Sequence, residues 1–235
     1  MNQPLPAAVL WDMDGTLVDT EPYWMSAEGP LVESFGGTWS HEQGLQMVGL
    51  GLEDAAGRLQ AAGVRLSVPE IIETLINSVL ASIAADGVPF RPGARELLLA
   101  LREAGVKTAL VTMSHRRMAD SIIELIGFDA FDAVVAGDEV TRPKPFPDPY
   151  LQAAAALGVD IRDTVSIEDS PTGVRSAVAA GGAVLAVPHM VSLVGLGSHQ
   201  LLTSLEQATP ATLADLVAAY RGGRASDAVD AETSV

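Results

Sequence analysis

Short apolar runs alternate with helix-forming segments over most of the second half of the chain. Residues 106–111, 133–136, 164–167 and 183–187 have the length and composition of buried strands. The segments between them carry apolar residues at helical spacing. Strands that alternate with helices build a parallel sheet covered on both faces, because parallel neighbours need a crossover connection. The pattern therefore predicts an α/β fold with a Rossmann-like parallel sheet as its core.

The chain order of the helices follows from the same alternation. Before and between the strands, the apolar spacing predicts helices over residues 92–104, 115–126, 146–157 and 171–180. A further apolar run over residues 7–11 predicts the first strand of the sheet.

Two carboxylates follow this first strand directly, in the sequence Asp12-Met13-Asp14-Gly15-Thr16. A strand that opens into a turn is where open α/β sheets hold their ligands. Acids on alternate positions can divide the work: one attacks the substrate and binds a metal, while the other moves protons. The alternative is an acidic turn without function, since Asp and Gly are common turn residues.

A helical block separates the first strand from the rest of the sheet. It predicts a module over residues 19–87, inserted into a core formed by residues 1–18 and 88–222. Hinges near its two ends would let the module close over the active site as a lid, and a rigid helical decoration is the alternative. Residues 223–235 are rich in small and polar side chains, which predicts a disordered tail.

Composition restricts the partners and cofactors. The absence of cysteine excludes disulfides, thiolate metal sites and a cysteine nucleophile, so a bound metal should be a hard cation. Thirty acidic and 14 basic residues give a net charge of −16, which opposes binding to nucleic acids and anionic membranes. Signal-peptide and membrane-span patterns are not found. We expect a cytoplasmic protein without nucleic-acid or membrane partners, and a monomer.

The strand predicted over residues 106–111 is followed by hydroxyl groups. Thr112 comes directly after it, Ser114 lies two residues further on, and the next helix begins near His115. Hydroxyl and backbone N–H groups at a helix N-terminus can hold a phosphate group. An ordinary helix cap is the alternative.

A lysine and a second acid pair follow the next two strands. Lys144 lies between prolines, which restrict the backbone and could present its ammonium group to a phosphoryl oxygen. Glu168 and Asp169 follow the strand predicted over residues 164–167. Facing Asp12 and Asp14, they would complete a site for Mg²⁺ built from oxygen ligands.

The acid pair, the hydroxyl, the lysine and the second acid pair stand in this order at successive strand ends. Together they resemble the four motifs of the haloacid dehalogenase superfamily, in its phosphatase and phosphomutase branch. The resemblance covers residues 7–187 and includes a helical cap after the first motif. It implies a Mg²⁺-dependent phosphatase that hydrolyses a small phosphorylated metabolite, such as a sugar, polyol or glycolate phosphate, through an aspartyl phosphate.

The resemblance also implies roles for individual residues. Asp12 would be the nucleophile and a Mg²⁺ ligand, and Asp14 the general acid and base, with its main-chain carbonyl on the metal. The implied phosphate-binding residues are Thr112, Met113 and Lys144, and the further metal residues are Glu168 and Asp169. Residues expected near the substrate are Thr20, Trp24, Ser114 and His115, and apolar residues expected to line the pocket are Trp24, Met25, Met47 and Val48.

The same residues leave two alternatives to a phosphatase. The Glu-Asp-Ser form of the last motif and the Asp19-Thr20 pair resemble β-phosphoglucomutase, but such mutases carry an arginine where Leu52 falls and a histidine where Trp24 falls. An apolar side chain cannot bind a distal phosphate, which favours a phosphatase with a less charged substrate end. A catalytically idle binding module would have lost a motif residue, and none is lost.

Overall fold

Six parallel strands form one sheet in the computed structural model, which describes residues 3–48 and 50–232. Residues 1, 2, 49 and 233–235 lie outside this description. The strands are β1 (Ala8–Trp11), β2 (Lys107–Val111), β3 (Ala133–Val135), β4 (Thr164–Glu168), β5 (Ala183–Ala186) and β6 (Gln200–Leu201). Their order is β3-β2-β1-β4-β5-β6, with parallel pairing throughout. The predicted α/β fold is confirmed.

Helices fill the chain between the strands. They are α1 (Glu21–Ser34), α2 (His41–Leu45), α3 (Leu52–Ala61), α4 (Val68–Asp86), α5 (Ala94–Glu103), α6 (Arg116–Ile126), α7 (Asp148–Leu157), α8 (Pro171–Ala180) and α9 (Pro210–Glu232). Helices α5 to α8 coincide with the four predicted helices to within two residues at each end. Strand β6 and helix α9 were not predicted.

The central strand β1 is fully buried because helices cover both faces of the sheet. Val9 and Trp11 face one core cluster, which contains apolar residues of α5, α6 and α9. Ala8 and Leu10 face the other, which contains apolar residues of α7 and α8. A strand covered on both sides carries a continuous apolar run rather than an alternating one. This explains why residues 7–11 could be identified from the sequence.

Helices α1 to α4 occupy the segment predicted to form a cap, and α4 supplies much of its apolar interior. Helix α4 begins with a capping box formed by Ser67 and Glu70. Its inner face packs against α1 and α3 and consists of Ile71, Ile72, Leu75, Ile76, Val79 and Ile83. By length and composition alone, α4 could cross a membrane. In this structure its apolar face packs within the cap.

Two neighbouring segments connect the cap with the sheet. Val18 pairs with Phe90 in an antiparallel bridge, and the Asp19 backbone N–H donates to the Pro89 carbonyl at 2.7 Å. The entry and exit of the cap are therefore held side by side, a narrow connection of the kind about which a lid could rotate.

Helix α9 differs from the disordered tail predicted for residues 223–235. Its backbone is helical as far as Glu232, and the last three residues lie outside the described ones. Three alanines, Ala225, Ala228 and Ala231, fall within this segment, and alanine has the highest helix propensity. The prediction of a disordered tail rested on small and polar composition and not on helix propensity.

Candidate active site

The polar strand ends meet at one edge of the sheet, beneath the cap. Because the strands are parallel, the carboxyl ends of β1, β2 and β4 point the same way. A pocket opens at this edge and is lined on the core side by Asp12, Asp14, Thr112, Lys144 and Asp169. The cap contributes the opposite wall. The predicted phosphate, acid and metal residues are thus brought together.

Lys144 is the buried cation at the centre of this cluster. Its Nζ donates hydrogen bonds to Asp12 Oδ1 and to Glu168 Oε1, both at 2.6 Å, and to the Val111 carbonyl at 2.9 Å. Burial alone would lower the pKa of Lys144, but Asp12 and Glu168 raise it above its usual value. The ammonium group therefore stays charged and fixes the position of the Asp12 carboxylate.

Glu168 is fully buried and held on both of its oxygens. Tyr150 donates its hydroxyl hydrogen to Oε1 at 2.6 Å, and the Ser170 hydroxyl donates to Oε2 at 3.2 Å. Gly173 makes room for this carboxylate, since a Cβ there would lie 1.9 Å from Glu168 Oε1. Burial, reinforced by Glu168, raises the pKa of Tyr150 above its usual value, so the phenol stays a donor. Tyr150 was not predicted from the sequence, where its only signal was a polar tip within an apolar helix.

Three carboxylates form a group with the chemistry of a Mg²⁺ site. Oxygens of Asp12, Glu168 and Asp169 lie within 4.8 Å of one another, and all three residues are buried. Asp169 accepts a hydrogen bond from the Thr16 hydroxyl at 3.1 Å. Gly15 adopts a φ of +81°, and a Cβ at this position would lie 2.2 Å from Asp169 Oδ2. The glycine therefore leaves space for the carboxylate.

The charges of this cluster do not balance within the protein. Burial and the neighbouring Glu168 raise the pKa of Asp12 to about 7, although Lys144 opposes this rise. Burial and the charges of Asp12 and Glu168 also raise the pKa of Asp169 well above its usual value. A divalent cation would offset the excess negative charge, and carboxylate oxygens are the ligands that Mg²⁺ prefers. The residues present therefore fit this metal.

Asp14 is held by hydroxyl and indole groups from both the cap and the core. Its Oδ1 accepts from Thr20 Oγ1 at 2.5 Å and from Trp24 Nε1 at 3.4 Å, both at the start of α1. Its Oδ2 accepts from Ser114 Oγ at 2.8 Å and from Thr112 Oγ1 at 3.3 Å, beyond the end of β2. The second acid of the first motif therefore lies where cap and core meet.

The segment after β2 lines the pocket as far as Ser114, and His115 lies outside the described lining. Thr112, Met113 and Ser114 line the pocket, and the Ser114 backbone N–H donates to Thr112 Oγ1 at 2.9 Å. His115 was expected near the substrate, at the edge of the pocket, and this stays a prediction. Its Nε2 lies 3.4 Å from Glu53 Oε1 on α3. Its imidazole therefore contacts the cap.

The cap wall carries apolar residues together with two buried acids. Of the four apolar residues expected there, Trp24, Met47 and Val48 line the pocket, as does Leu52; Met25 is not among the described lining residues.

Glu21 and Glu28 also line the pocket, and neither was predicted from the sequence. Burial, followed by the nearby acids Asp14 and Glu28, raises the pKa of Glu21 to about 8. Burial raises the pKa of Glu28 to about 7, against the opposing effect of a hydrogen bond from Trp39. Their spacing of seven residues on one helix was the available signal.

The fold and this site define a capped α/β hydrolase with a buried aspartate held by a lysine. The family model for haloacid dehalogenase-like hydrolases matches residues 9–187, and the chain therefore belongs to that family.

Individual relatives and solved structures are similar over most of their length. Hexitol phosphatase B of Escherichia coli (strain K12) is 33% identical over 186 residues, which are 77% of this chain and 83% of that protein. A phosphoglycolate phosphatase of Xylella fastidiosa (strain 9a5c) is 32% identical over 213 residues, 85% of this chain and 87% of the relative. The crystal structure of CbbY from Rhodobacter sphaeroides in complex with phosphate has a TM-score of 0.80 at 26% identity. That match covers 86% of this chain and 96% of CbbY.

Proposed function

We propose that this protein is a Mg²⁺-dependent phosphatase that hydrolyses a sugar, polyol or glycolate phosphate through an aspartyl-phosphate intermediate. The observation that carries the proposal is the 2.6 Å contact between Asp12 Oδ1 and Lys144 Nζ, beside the carboxylates of Glu168 and Asp169. The phosphatase activities in the names of two relatives support the same class of reaction.

Asp12 would attack the phosphorus atom of the substrate through a carboxylate oxygen. Phosphoryl transfer depends mainly on positioning and on neutralising the charge of the transferred group. Lys144 provides a fixed positive charge beside the attacking carboxylate, and Thr112 with the backbone of Met113 would hold phosphoryl oxygens. When bound by Asp12, Asp169 and the main-chain carbonyl of Asp14, with Glu168 nearby, Mg²⁺ would offset the repulsion between carboxylate and phosphate.

Asp14 would move the protons of both half-reactions. In the first, it protonates the alkoxide that leaves as Asp12 forms its bond to phosphorus. In the second, it takes a proton from the water that attacks the aspartyl phosphate, which releases phosphate and restores Asp12. Thr20 and Trp24 hold Asp14 from the cap side, so cap position and Asp14 position are linked.

Two parts of the chain would have different roles. Residues 1–18 and 88–222 would form the catalytic core, and residues 19–87 a cap that covers the substrate and excludes water. The pocket between them supports this division, because residues from both segments line it. We also infer that the protein acts in the cytoplasm as a monomer, and its net charge of −16 supports the absence of nucleic-acid partners.

A phosphomutase is the weaker candidate because of the residues that form the cap wall. A mutase must bind a second phosphate at the far end of its substrate. Leu52 lines the pocket where an arginine would be needed, and Lys144 at the core end is the one cation among the described lining residues. A second phosphate would therefore find no positive charge there.

The proposal is tested by phosphate release from sugar, polyol, nucleotide and two-carbon acid phosphates. The protein with Mg²⁺ should release phosphate from at least one ester, and a chelator should stop it. Asp12→Asn should lower the rate by about 10⁴-fold or more, because the nucleophile is lost, while circular dichroism shows it folded. No release from any ester by the unmodified protein would overturn the proposal.

A further inference from the structure

Two buried carboxyl groups in the cap take no part in the chemistry described above. Glu21 and Glu28 lie seven residues apart on α1, and both line the pocket. Seven residues are about two helical turns, so the two side chains project from one face, about 10 Å apart along the axis. This wall is longer than a two-carbon substrate.

We propose that Glu21, which lies on the cap side of Asp14, and Glu28, further along α1, form a cap-wall subsite that accepts hydrogen bonds from hydroxyl groups on an uncharged polyhydroxyl chain of the substrate. The inference rests on the proposed phosphatase function and narrows it. Among the three candidate substrate classes, it selects sugar or polyol phosphates and disfavours phosphoglycolate, whose far end is an anion.

The carboxyl group of Glu21 has no hydrogen-bond partner among the described residues, and the residue is only 9% exposed. Among the described residues, the buried side-chain atoms without a partner are Trp11 Nε1, Asp148 Oδ2 and Ser166 Oγ, so the Glu21 carboxyl oxygens are open to the water of the pocket. Because Glu21 lines the pocket, a substrate hydroxyl can supply the missing partner. The residue is therefore arranged for a ligand rather than for the stability of the cap.

Glu28 is fixed further along the same wall. It is 3% exposed, and its Oε2 accepts a hydrogen bond from Trp39 Nε1 at 3.0 Å. Within the described part of the chain, no donor reaches Oε1. One oxygen therefore holds the side chain in place while the other remains available as an acceptor for a substrate hydroxyl.

The distribution of charge decides which far end the pocket accepts. Lys144 is the one cation among the described lining residues, and it is bound to Asp12 and Glu168 at the core end. Above about pH 8, where Glu21 and Glu28 are ionised, a carboxylate or second phosphate at the other end would meet two negative charges and no positive charge to offset the repulsion. Hydroxyl groups meet no such penalty, so the wall discriminates by repulsion as well as by attraction.

The first test compares four phosphate esters with the full chain and Mg²⁺. They are sorbitol 6-phosphate, 2-phosphoglycolate, fructose 1,6-bisphosphate and p-nitrophenyl phosphate. We expect kcat/KM for sorbitol 6-phosphate to exceed those for 2-phosphoglycolate and fructose 1,6-bisphosphate by about ten-fold or more. p-Nitrophenyl phosphate reports on the catalytic centre with a substrate that lacks hydroxyl groups.

The second test removes the unpartnered acid. Glu21→Ala should lower kcat/KM for sorbitol 6-phosphate about 10-fold to 100-fold more than that for p-nitrophenyl phosphate. It should also raise the midpoint of thermal unfolding by about 2–4 °C, because the buried carboxyl group is gone. Glu33→Ala, at an exposed position of the same helix, is the matched control and should change neither quantity.

A conservative change at the second acid tests the repulsion separately. Glu28→Gln keeps an acceptor for Trp39 but removes the negative charge. Assayed above about pH 8, where Glu28 is ionised, it should raise the relative activity on 2-phosphoglycolate and fructose 1,6-bisphosphate by about three-fold to ten-fold.

The contrary outcomes separate the two proposals. A preference of the unmodified protein for 2-phosphoglycolate or the bisphosphate would overturn the subsite and leave the phosphatase standing. The same holds if Glu21→Ala affects both esters alike or lowers the unfolding midpoint. Absence of activity on all four esters would overturn both.

Discussion

The two ends of the pocket treat their buried carboxyl groups differently. At the core end, Asp12 and Glu168 are both bound by Lys144 at 2.6 Å. At the cap end, Glu21 accepts no hydrogen bond from the described residues, and Glu28 accepts one. The core end is thus ordered by the protein itself, whereas the cap end leaves acceptors for a ligand to fill.

This difference matches what each end has to do. Stabilising a phosphoryl transition state requires charges that are fixed before the substrate arrives. Selecting one substrate among many requires groups whose hydrogen bonds are completed by that substrate alone. Stability and activity should therefore fall together at the core end, and move in opposite directions at the cap end.

The largest effect should come from Lys144→Met. This change leaves Asp12 and Glu168 buried without their cation, so we expect a loss of about 3–5 kcal/mol in the free energy of unfolding. The rate should fall by about 10³-fold or more, because the charge beside the nucleophile is lost. Urea unfolding and phosphate release measure the two quantities.

Lys107→Met is the matched control for this prediction. Lys107 Nζ donates to the Leu157 carbonyl at 2.7 Å and lies outside the described pocket lining. The Lys107→Met change should lower the free energy of unfolding by less than about 1.5 kcal/mol and leave kcat/KM unchanged. If Lys144→Met were as stable as Lys107→Met, the core end would not be ordered by its ion pairs.

A change of pH should have an intermediate effect on the free energy of unfolding, through the carboxyl group of Glu21. Its pKa is raised from 4.5 to about 8 by burial and by Asp14 and Glu28, so folding favours the protonated carboxyl group. The stability it contributes is complete below pH 4.5 and is lost as the pH rises from about 4.5 to 8. The advantage of Glu21→Gln over the unmodified protein should therefore grow across this window and level off above it.

Urea unfolding at several pH values measures this difference, with the exposed Glu33→Gln as control. The prediction fails if the two proteins keep a constant difference in stability from pH 4.5 to 8, or if the unmodified protein gains stability relative to Glu21→Gln as the pH rises.

The smallest effect should come from Tyr150→Phe. It removes one hydrogen bond to Glu168 and leaves the bond from Lys144, so we expect a loss of about 1–2 kcal/mol. Activity should fall by about ten-fold or less. Tyr220→Phe removes a comparable bond, to the Gly181 carbonyl at 2.6 Å, and should cost similar stability without loss of activity. If the two variants were equally active, Tyr150 would make no contribution to catalysis, and the prediction would be wrong.

The core end of the pocket could be predicted from the sequence because strand ends determine it. Asp12, Thr112 and Asp169 lie at or just beyond the ends of buried strands, and parallel strands bring such residues to one edge. The cap end could not be predicted in this way. Which face of a helix lines a pocket depends on how whole helices pack, so Glu21 and Glu28 were overlooked.

Direct capture of the covalent intermediate tests the central proposal. Asp14→Asn would lack the base for hydrolysis, and the leaving group of p-nitrophenyl phosphate needs no acid, so the aspartyl phosphate should accumulate. Mass spectrometry after acid quenching should find one added phosphoryl group on the peptide containing Asp12, and none when Asp12 is also changed to Asn. A phosphoryl group on another residue, or none while the unmodified protein hydrolyses the ester, would contradict the proposed mechanism.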